Sequence, residues 1–289
     1  MLNLRKTSKG LYIGAGGGGV TLIEAEKRAG RWLIKKSGTS DLPSGIASQG
    51  ASAPDIGGAI RGAADSSGIR GGVINISIPD TAAKAAVFEF EDFPSDEKDA
   101  SGILRARASK DLGMPGDSSF DHQVLSRNGN VKVLAVAAAS SVIGGIEDSA
   151  ARAGFQTGKI NIHTLNILNA LPEGLNTGGD FSVITRLDDF FSITIFRNGA
   201  LEFYRSKALK AEGIERSIYS SFISYRGKTG STVESVFTLD DRAGLADSVK
   251  KATGIDPVPI SAGDAIEGAS MPGGANPVRL LAALGACVN

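Results

Sequence analysis

The chain has 289 residues, and its 31 lysines and arginines equal its 31 aspartates and glutamates in number. A formal charge of zero argues against the broad positive field with which proteins hold nucleic acid or anionic lipid non-specifically. One cysteine, Cys287, rules out an internal disulfide framework, and two histidines leave little for a histidine-built metal site. The 38 glycines are roughly twice the usual share and need an explanation.

The first half of the chain is predicted to open with a three-stranded meander. Short apolar segments separated by glycine-containing turns predict strands at 11–14, 20–27 and 31–39. A connector rich in Ser, Gly, Ala and Pro follows at 41–54. A weak helical pattern, with Ile56 and Ile60 four residues apart, then leads to a strand at 73–78.

The second half repeats this order of elements. Three strands are predicted at 181–185, 192–197 and 201–205, and Asn198-Gly199 between the last two is typical of a type I′ hairpin. The remaining elements are a helix at 212–225, a strand at 233–239, a helix at 244–252 and a strand at 258–260. Two copies of strand-strand-strand-helix-strand indicate a duplicated α/β unit.

Material that does not repeat lies between the two copies. Its predicted elements are a strand at 86–91, a helix at 96–111, a strand at 131–138 and a helix at 140–154, which together indicate a small α+β insert. A strand at 159–163 and a helix ending before Pro172 follow, and a last helix begins at Pro277 behind the capping residue Asn276. We therefore divide the chain into a first lobe at 1–82, an inserted subdomain at 83–157, a return to the first lobe at 158–180, a second lobe at 181–275 and a C-terminal helix at 276–289.

No targeting or spanning segment is predicted. Residues 1–7 lack the apolar run of a signal peptide. The longest nearly uncharged run, 131–146, is shorter than the roughly 20 residues that a spanning helix needs. We expect a soluble intracellular protein that has no membrane span of its own.

Two hairpin-led α/β halves with an insert after the first half resemble the actin-like ATPase superfamily, to which FtsA belongs. Within it, residues 11–24, 88–112, 181–205 and 277–288 resemble PilM-type proteins of type IV pilus assembly and the cytoplasmic domain of GspL from type II secretion. Residues 195–201, Ile-Phe-Arg-Asn-Gly-Ala-Leu, are particularly similar to the second-half hairpin of PilM. The resemblance implies a duplicated ribonuclease H-like fold in two lobes with a small α+β insert.

The resemblance also implies a nucleotide site between the lobes, and its three elements all depart from the family pattern. Each hairpin should begin with Asp-x-Gly, but Gly14 stands at the first aspartate and Thr185 at the second. Leu187 stands at the second glycine, where its Cβ would block close approach of the backbone. The Gly-Gly pair under the adenosine is replaced by Asp240-Asp241.

Two further features weaken the nucleotide site. Asp188 and Asp189 would repel a triphosphate, and about six residues stand where the family usually carries a helical subdomain over the base. We therefore predict a degenerate fold that neither binds ATP tightly nor hydrolyses it, with no catalytic residue and no cofactor. ATP with Mg²⁺ would bind only if the degenerate cleft retained affinity for it.

The glycine run Gly16, Gly17, Gly18 and Gly19 has two interpretations. It is either a vestigial phosphate cradle or a structural hairpin turn, and the turn is favoured because the Lys-Ser/Thr of a Walker loop is missing. Each histidine is more typical of a structural residue: we expect His163 at a strand end and His122 in an exposed loop.

The aspartate pairs 188–189 and 240–241 would form a carboxylate cluster for a divalent metal if they converged. Solvated turn residues are the favoured interpretation, because oxygen-rich sites usually need further ligands in a fixed order. We predict no metal site.

The resemblance implies a partner. PilM-type proteins receive an extended PilN peptide in a groove beside the insert, and Phe88, Phe90 and Phe93 are the candidate contacts there, although Phe88 and Phe90 are expected mostly in the core of the insert. The leading hypothesis is a non-enzymatic scaffold, peripheral to the inner membrane, that binds a PilN-like membrane protein and contacts the assembly ATPase. The sequence does not decide whether the protein forms a homo-oligomer. The alternatives are an ATP-using actin-like or sugar-kinase-like enzyme, and a relative that binds a small molecule.

Overall fold

The computed structural model describes residues 9–16, 18–28, 31–42, 56–127, 129–171, 175, 179–209, 213–261, 263, 265–267 and 277–287. The chain divides into two compact units. The first comprises Met1–Pro79, Gly144–Leu175 and Ile260–Asn289, and the second comprises Asp80–Ile143 and Asn176–Pro259. Most of the insert therefore belongs to the same unit as most of the second lobe. The domain boundaries drawn from the sequence stay a prediction.

The described residues form fourteen strands and seven α-helices. In chain order the strands are β1 (Lys9–Gly16), β2 (Gly19–Arg28), β3 (Arg31–Asp41), β4 (Val73–Ile78), β5 (Lys84–Phe90), β6 (Ser118–Ser126), β7 (Val131–Ala139), β8 (Gln156–Ile162), β9 (Phe181–Leu187), β10 (Phe190–Arg197), β11 (Ala200–Ala208), β12 (Ser235–Asp240), β13 (Val258–Pro259) and β14 (Ile266–Glu267). The helices are α1 (Gly57–Ser67), α2 (Glu97–Leu112), α3 (Ser140–Arg152), α4 (His163–Ala170), α5 (Ile214–Thr229), α6 (Leu245–Thr253) and α7 (Pro277–Leu284).

The first unit is built on a six-stranded sheet in the order β14-β3-β2-β1-β4-β8. The predicted meander is confirmed, since β1 pairs antiparallel with β2 and β2 with β3. Strand β4 runs parallel to β1, and β8 runs parallel to β4. Helix α1 buries its alanine-rich face, with Ile60 fully buried.

The second unit repeats that arrangement in its larger sheet, whose order is β11-β10-β9-β12-β13. In each half the third strand, the second, the first, the fourth and the fifth lie side by side, so the predicted duplication is confirmed. The hairpin at Asn198 and Gly199 has φ of 50° and 76°, as a type I′ turn requires. The predicted helix is confirmed as α5, which packs on this sheet with Ile218 and Tyr225 buried in the core.

The insert is a three-stranded antiparallel sheet, β5-β7-β6, with α2 beside it. The carboxylate of Asp96 caps α2 by accepting hydrogen bonds from the backbone N–H groups of Lys98 and Asp99 at 3.0 and 3.1 Å. Strand β6 was not predicted. His122 lies in it opposite Ala135, with its ring against Phe93, so its prediction as an exposed loop residue is wrong.

Polar contacts tie the insert to the larger sheet of the same unit. Just before the insert, Asp80 Oδ2 accepts a hydrogen bond from the Tyr204 hydroxyl at 2.6 Å, and both residues are buried. Lys228 Nζ lies 3.0 Å from a carboxylate oxygen of Glu89, and this hydrogen bond lowers the pKa of Glu89. Lys132 also forms an ion pair with Glu202. These contacts account for the grouping of the insert with β9–β13.

The sequence predicted neither a helical subdomain after the second hairpin nor a membrane-spanning helix. Strand β11 ends at Ala208 and α5 begins at Ile214, so five residues separate them and leave no length for a helical subdomain. Of the helices that the structure describes, none has both the length and the apolar character needed to cross a membrane.

Helix α7 and the turn after it pack closely against other elements of the first unit. Helix α7 lies against α4 and β1, and the 3₁₀ turn that follows it contains Gly285. A Cβ placed on Gly285 would lie 1.6 Å from the carbonyl oxygen of Asn166 in α4. Only glycine fits at this crossing without moving one of the two segments.

We expect Gly285→Ala to lower the free energy of unfolding by about 3 kcal/mol, because the added methyl group meets rigid backbone. Chemical denaturation of the full chain measures the change. The matched control is Gly144→Ala in α3, where a Cβ meets nothing within 4 Å and a gain of about 0.5 kcal/mol is expected. Equal effects of the two substitutions would contradict the close approach at Gly285.

Candidate functional site

The first glycine hairpin is a tight turn. Strands β1 and β2 pair as far as Gly16 with Gly19, so the turn itself contains two residues. Gly18 has a φ of 87°, and its carbonyl oxygen accepts a hydrogen bond from the Leu42 backbone at 2.6 Å. Gly17 lies outside the described residues. The run is therefore a hairpin turn, and any role in phosphate binding stays a prediction.

Gly14, which stands at the aspartate position of the family, is covered by α7. A Cβ on Gly14 would lie 3.3 Å from the Cβ of Ala283 and 3.4 Å from the carbonyl oxygen of Arg279. Even a Cβ at this position would be in tight contact with α7, so a larger side chain would require a shift of the helix or of its own backbone. The absence of a side chain at position 14 thus permits the close packing of α7 on β1.

Arg279 is a residue that the sequence did not reveal as part of this site. It lies on α7, and its Nη1 would be 3.9 Å from a Cβ on Gly19. A guanidinium therefore stands beside the hairpin turn. No local motif marks it, because only the docking of α7 brings it there.

His163 is the first residue of α4 and belongs to a buried hydrogen-bonded network. Its Nδ1 lies 2.8 Å from Ser77 Oγ, which also accepts a hydrogen bond from Asn166 Nδ2 at 2.8 Å. Burial, and then the charge of Arg279, lowers the pKa of His163 to about 3, while a hydrogen bond to the Ala15 backbone opposes the shift. The imidazole is therefore neutral at physiological pH, and the Ser77 hydroxyl donates to it.

The pair of Ser77 and His163 contains a hydroxyl and an imidazole, as hydrolases do. The two residues are 0% and 2% exposed, which leaves no surface on which a substrate would reach the hydroxyl. The network instead joins the end of β4, the start of α4 and the end of β1. This geometry is that of a structural histidine.

The second hairpin keeps the strand positions but not the chemistry of a phosphate loop. Thr185 is fully buried within β9, opposite Ser192 of β10 and Leu239 of β12. Leu187 is the buried last residue of β9, and the left-handed conformation falls on Asp188, with φ of 56°. The turn is therefore made by an aspartate and not by the glycine that the resemblance implies there.

The carboxylates of Asp240 and Asp241 contact two arginines, and Asp188 joins them through its backbone. Arg186 donates from Nε and Nη2 to the two carboxylate oxygens of Asp240, each at 2.7 Å. The same Nη2 donates to the carbonyl oxygens of Arg242 and Ala243 at 2.6 and 2.7 Å. One guanidinium thus clamps the loop after β12 onto the end of β9.

The second pair completes this arginine–carboxylate network. Asp241 Oδ2 accepts a hydrogen bond from the backbone N–H of Asp188 at 2.6 Å, and the Arg242 guanidinium contacts the carboxylate of Asp241 and the carbonyl of Asp188. Asp188 and the Asp241 side chain are each 6% exposed, so the expectation of solvated turns is wrong for them. Among the described residues, no group of three histidine, cysteine or acidic side chains is placed to hold a metal ion.

The candidate partner contacts lie in the core of the insert. Phe88 and Phe93 are 6% and 4% exposed, and they pack with Leu104 of α2. Phe90 is partly buried against the same cluster, with its ring centroid 5.0 Å from that of Phe93. Burial removes Phe88 and Phe93 from any contact surface in this conformation. Only Phe90 stays available to a partner, and that role remains a prediction.

Comparison with solved structures identifies the fold. The structure is similar to a chain of the PilM-PilN type IV pilus biogenesis complex, with a TM-score of 0.76 at 14% identity over 98% of this chain and 97% of that chain. It is similar to the cytoplasmic domain of EpsL, an inner membrane component of the type II secretion system of Vibrio cholerae, with a TM-score of 0.51 at 11% identity over 81% of this chain and 82% of that chain.

A third similar structure is a Bacteroides thetaiotaomicron protein with an actin-like ATPase fold and unknown function, with a TM-score of 0.53 at 11% identity over 92% of this chain and 96% of that chain. No protein-family model matches the sequence, and no curated protein sequence matches it significantly. The predicted fold class is confirmed: the chain has the actin-like ATPase fold.

The neutral His163 predicts a pH-dependent stability. The unfolded chain binds a proton at this residue below pH 6.5, whereas the folded chain does so only near pH 3. This contribution is fully present above pH 6.5 and is lost as the pH falls toward 3, by up to about 1.4 kcal/mol per pH unit. In His163→Asn the free energy of unfolding should fall less steeply over this range.

Ser77→Ala is the control for that experiment, because it breaks the same hydrogen bond and keeps the buried imidazole. Its free energy of unfolding should decline with the steepness of the wild type. Parallel curves for His163→Asn and the wild type would show that His163 is not held neutral.

Arg186→Lys should lower the free energy of unfolding by about 2 kcal/mol, because one ammonium group is unable to serve both oxygens of Asp240 and the two carbonyls. Denaturant titration followed by circular dichroism measures it. Arg61→Lys, at an exposed position of α1, should change the value by less than about 0.5 kcal/mol. A loss at Arg186 no larger than at Arg61 would disprove the clamp.

Proposed function

We propose that the protein is a non-enzymatic scaffold of the inner-membrane platform of a type IV pilus or type II secretion machine. The observation that carries the proposal is the similarity over 98% of the chain, at a TM-score of 0.76, to a chain of a PilM-PilN complex. The similarity to the EpsL cytoplasmic domain supports the wider class of pilus and secretion components. The protein would act in the cytoplasm and reach the membrane through a partner.

The absence of ATPase activity is the second part of the proposal. Its support is that two positions of the family's acidic and glycine pattern are structurally committed elsewhere. Gly14 is covered by α7, and Asp240 is clamped by Arg186. The competing hypothesis, an ATP-using enzyme, needs an acidic group at position 14, where glycine stands and an added Cβ would lie 3.3 Å from the Cβ of Ala283.

The partner in this proposal is the cytoplasmic N-terminal peptide of a PilN-like membrane protein. An extended peptide lying in a groove beside the insert would be held by backbone hydrogen bonds and a few apolar pockets. Phe90 is the candidate apolar contact, since Phe88 and Phe93 are committed to the core. Contact with the assembly ATPase and assembly of several copies belong to the same scaffold role.

Two calorimetric titrations test the two parts separately. ATP with Mg²⁺ should give no binding in the micromolar range, and tight binding would overturn the pseudo-ATPase part alone. A synthetic peptide from the cytoplasmic segment of the PilN-like protein encoded beside this one should bind in the micromolar range. Its failure to bind, with the reversed-sequence peptide as reference, would overturn the scaffold part.

Phe90→Ala should weaken that peptide about tenfold by removing an apolar contact. Ile103→Ala is the matched control on the same insert, since Ile103 is an exposed residue of α2, and it should leave the affinity unchanged. Equal affinities of the two variants would remove Phe90 from the contact surface.

A further inference from the structure

Helix α5 carries an exposed stripe that its packing on the sheet does not explain. The buried side of the helix is formed by Ser217, Ile218, Ser221 and Tyr225. On the opposite side Tyr219 and Ile223 are 57% and 51% exposed. Large apolar side chains that lie side by side in solvent are a common mark of an interaction surface.

Two arginines bracket these apolar residues along the helix axis. Arg216, Tyr219, Ile223 and Arg226 follow one another at spacings of three, four and three, so they lie on one face. The stripe spans about 15 Å at the helical rise per residue. We call these four residues the α5 stripe.

The charges around the stripe leave it basic. Glu215, the acidic residue of α5, lies 3.6 Å from Lys251 of α6, and Lys228 is paired with Glu89 of the insert. Within the described chain, the guanidinium groups of Arg216 and Arg226 have neither an ion pair nor a hydrogen-bond partner. A surface with an apolar centre and a positive charge at each end is complementary to an apolar centre between two negative charges.

We propose that the α5 stripe docks an acidic amphipathic helix of a partner protein. The partner helix would place two apolar residues against Tyr219 and Ile223, and an Asp or Glu about one turn beyond each of them against Arg216 and Arg226. This surface is separate from the insert, and the inference does not rest on the proposed peptide contact there.

A protein partner is favoured over a lipid surface by the size of the stripe. Helices that bind in the membrane interface bury a whole apolar face. The apolar face of α5 is already used against the sheet, which leaves two exposed side chains and two charges. Two basic residues add only a weak attraction to an anionic membrane.

A pair of designed peptides tests the docking on the full chain. The probe is an 18-residue helical peptide with two leucines four residues apart and a glutamate one turn outside each of them, and the reference peptide carries lysines in place of the glutamates. Fluorescence anisotropy should show the glutamate peptide binding at least about tenfold more tightly than the lysine peptide. Equal binding of the two, or no binding of the glutamate peptide, overturns the proposal.

Four variants assign the binding to the stripe. The double variants Tyr219→Ser/Ile223→Ser and Arg216→Glu/Arg226→Glu should each weaken the glutamate peptide about tenfold. The charge-reversed variant should also gain affinity for the lysine peptide, which a merely unfolded variant would not do. Val258→Ser, at a residue 52% exposed, and Arg61→Glu on α1 are the matched controls and should bind like the wild type.

Two further outcomes would show that something other than an acidic helix binds the α5 stripe. Binding of vesicles containing anionic phosphatidylglycerol, lost in the stripe variants while the glutamate peptide does not bind, would identify a lipid surface. Self-association of the wild type in sedimentation experiments, lost in the stripe variants without peptide binding, would identify a second copy of the chain. Either result contradicts the acidic helix.

Discussion

The approach of α7 to β1 and α4 is the contact on which the first unit depends. That unit is assembled from three separate stretches of chain, and α7 belongs to the last of them. Backbones meet so closely there that Gly285 has no space for a larger side chain, and an added Cβ on Gly14 would be in tight contact with α7. The packing of α7 therefore requires glycine at position 285 and favours a small residue at position 14.

The second unit has the same strand order, but the end of its first strand, β9, is held by arginine–carboxylate interactions. Arg186 and Arg242 join β9 to the loop after β12 through Asp240, Asp241 and backbone carbonyls. Carboxylates at so little exposure are tolerated only when cations and N–H groups neutralise and satisfy them. Asp240 and Asp241, which stand at the Gly-Gly pair in the sequence comparison, are thus the counter-ions of an internal network.

Both arrangements favour a function in binding other proteins over a function in catalysis. The one serine–imidazole pair described here, Ser77 and His163, is sealed inside the first unit. The phenylalanines of the insert hold α2 to its sheet. What the described surface offers to other molecules is a strand edge at β6, the partly buried Phe90 and the α5 stripe, all of which suit protein segments better than small substrates.

Local signals explain how much of the fold was predictable. Some signals act over only a few residues: the glycine turns of the meander, the Asn198-Gly199 hairpin and the buried apolar face of α5. The duplicated strand order follows from the repetition of such signals. Strand β6 escaped prediction because Asp121, His122 and Gln123 interrupt its apolar pattern, and only pairing with β7 makes it a strand.

The sequence by itself determined the order of the elements, the duplication and the departures at Gly14, Thr185 and Leu187. The tertiary structure alone decided what those departures mean. Contacts between α7 and Gly14, between Arg186 and Asp240, and between Ser77 and His163 join residues far apart in the chain. No local spacing specifies such pairs, because burial and distance are set only when the elements pack.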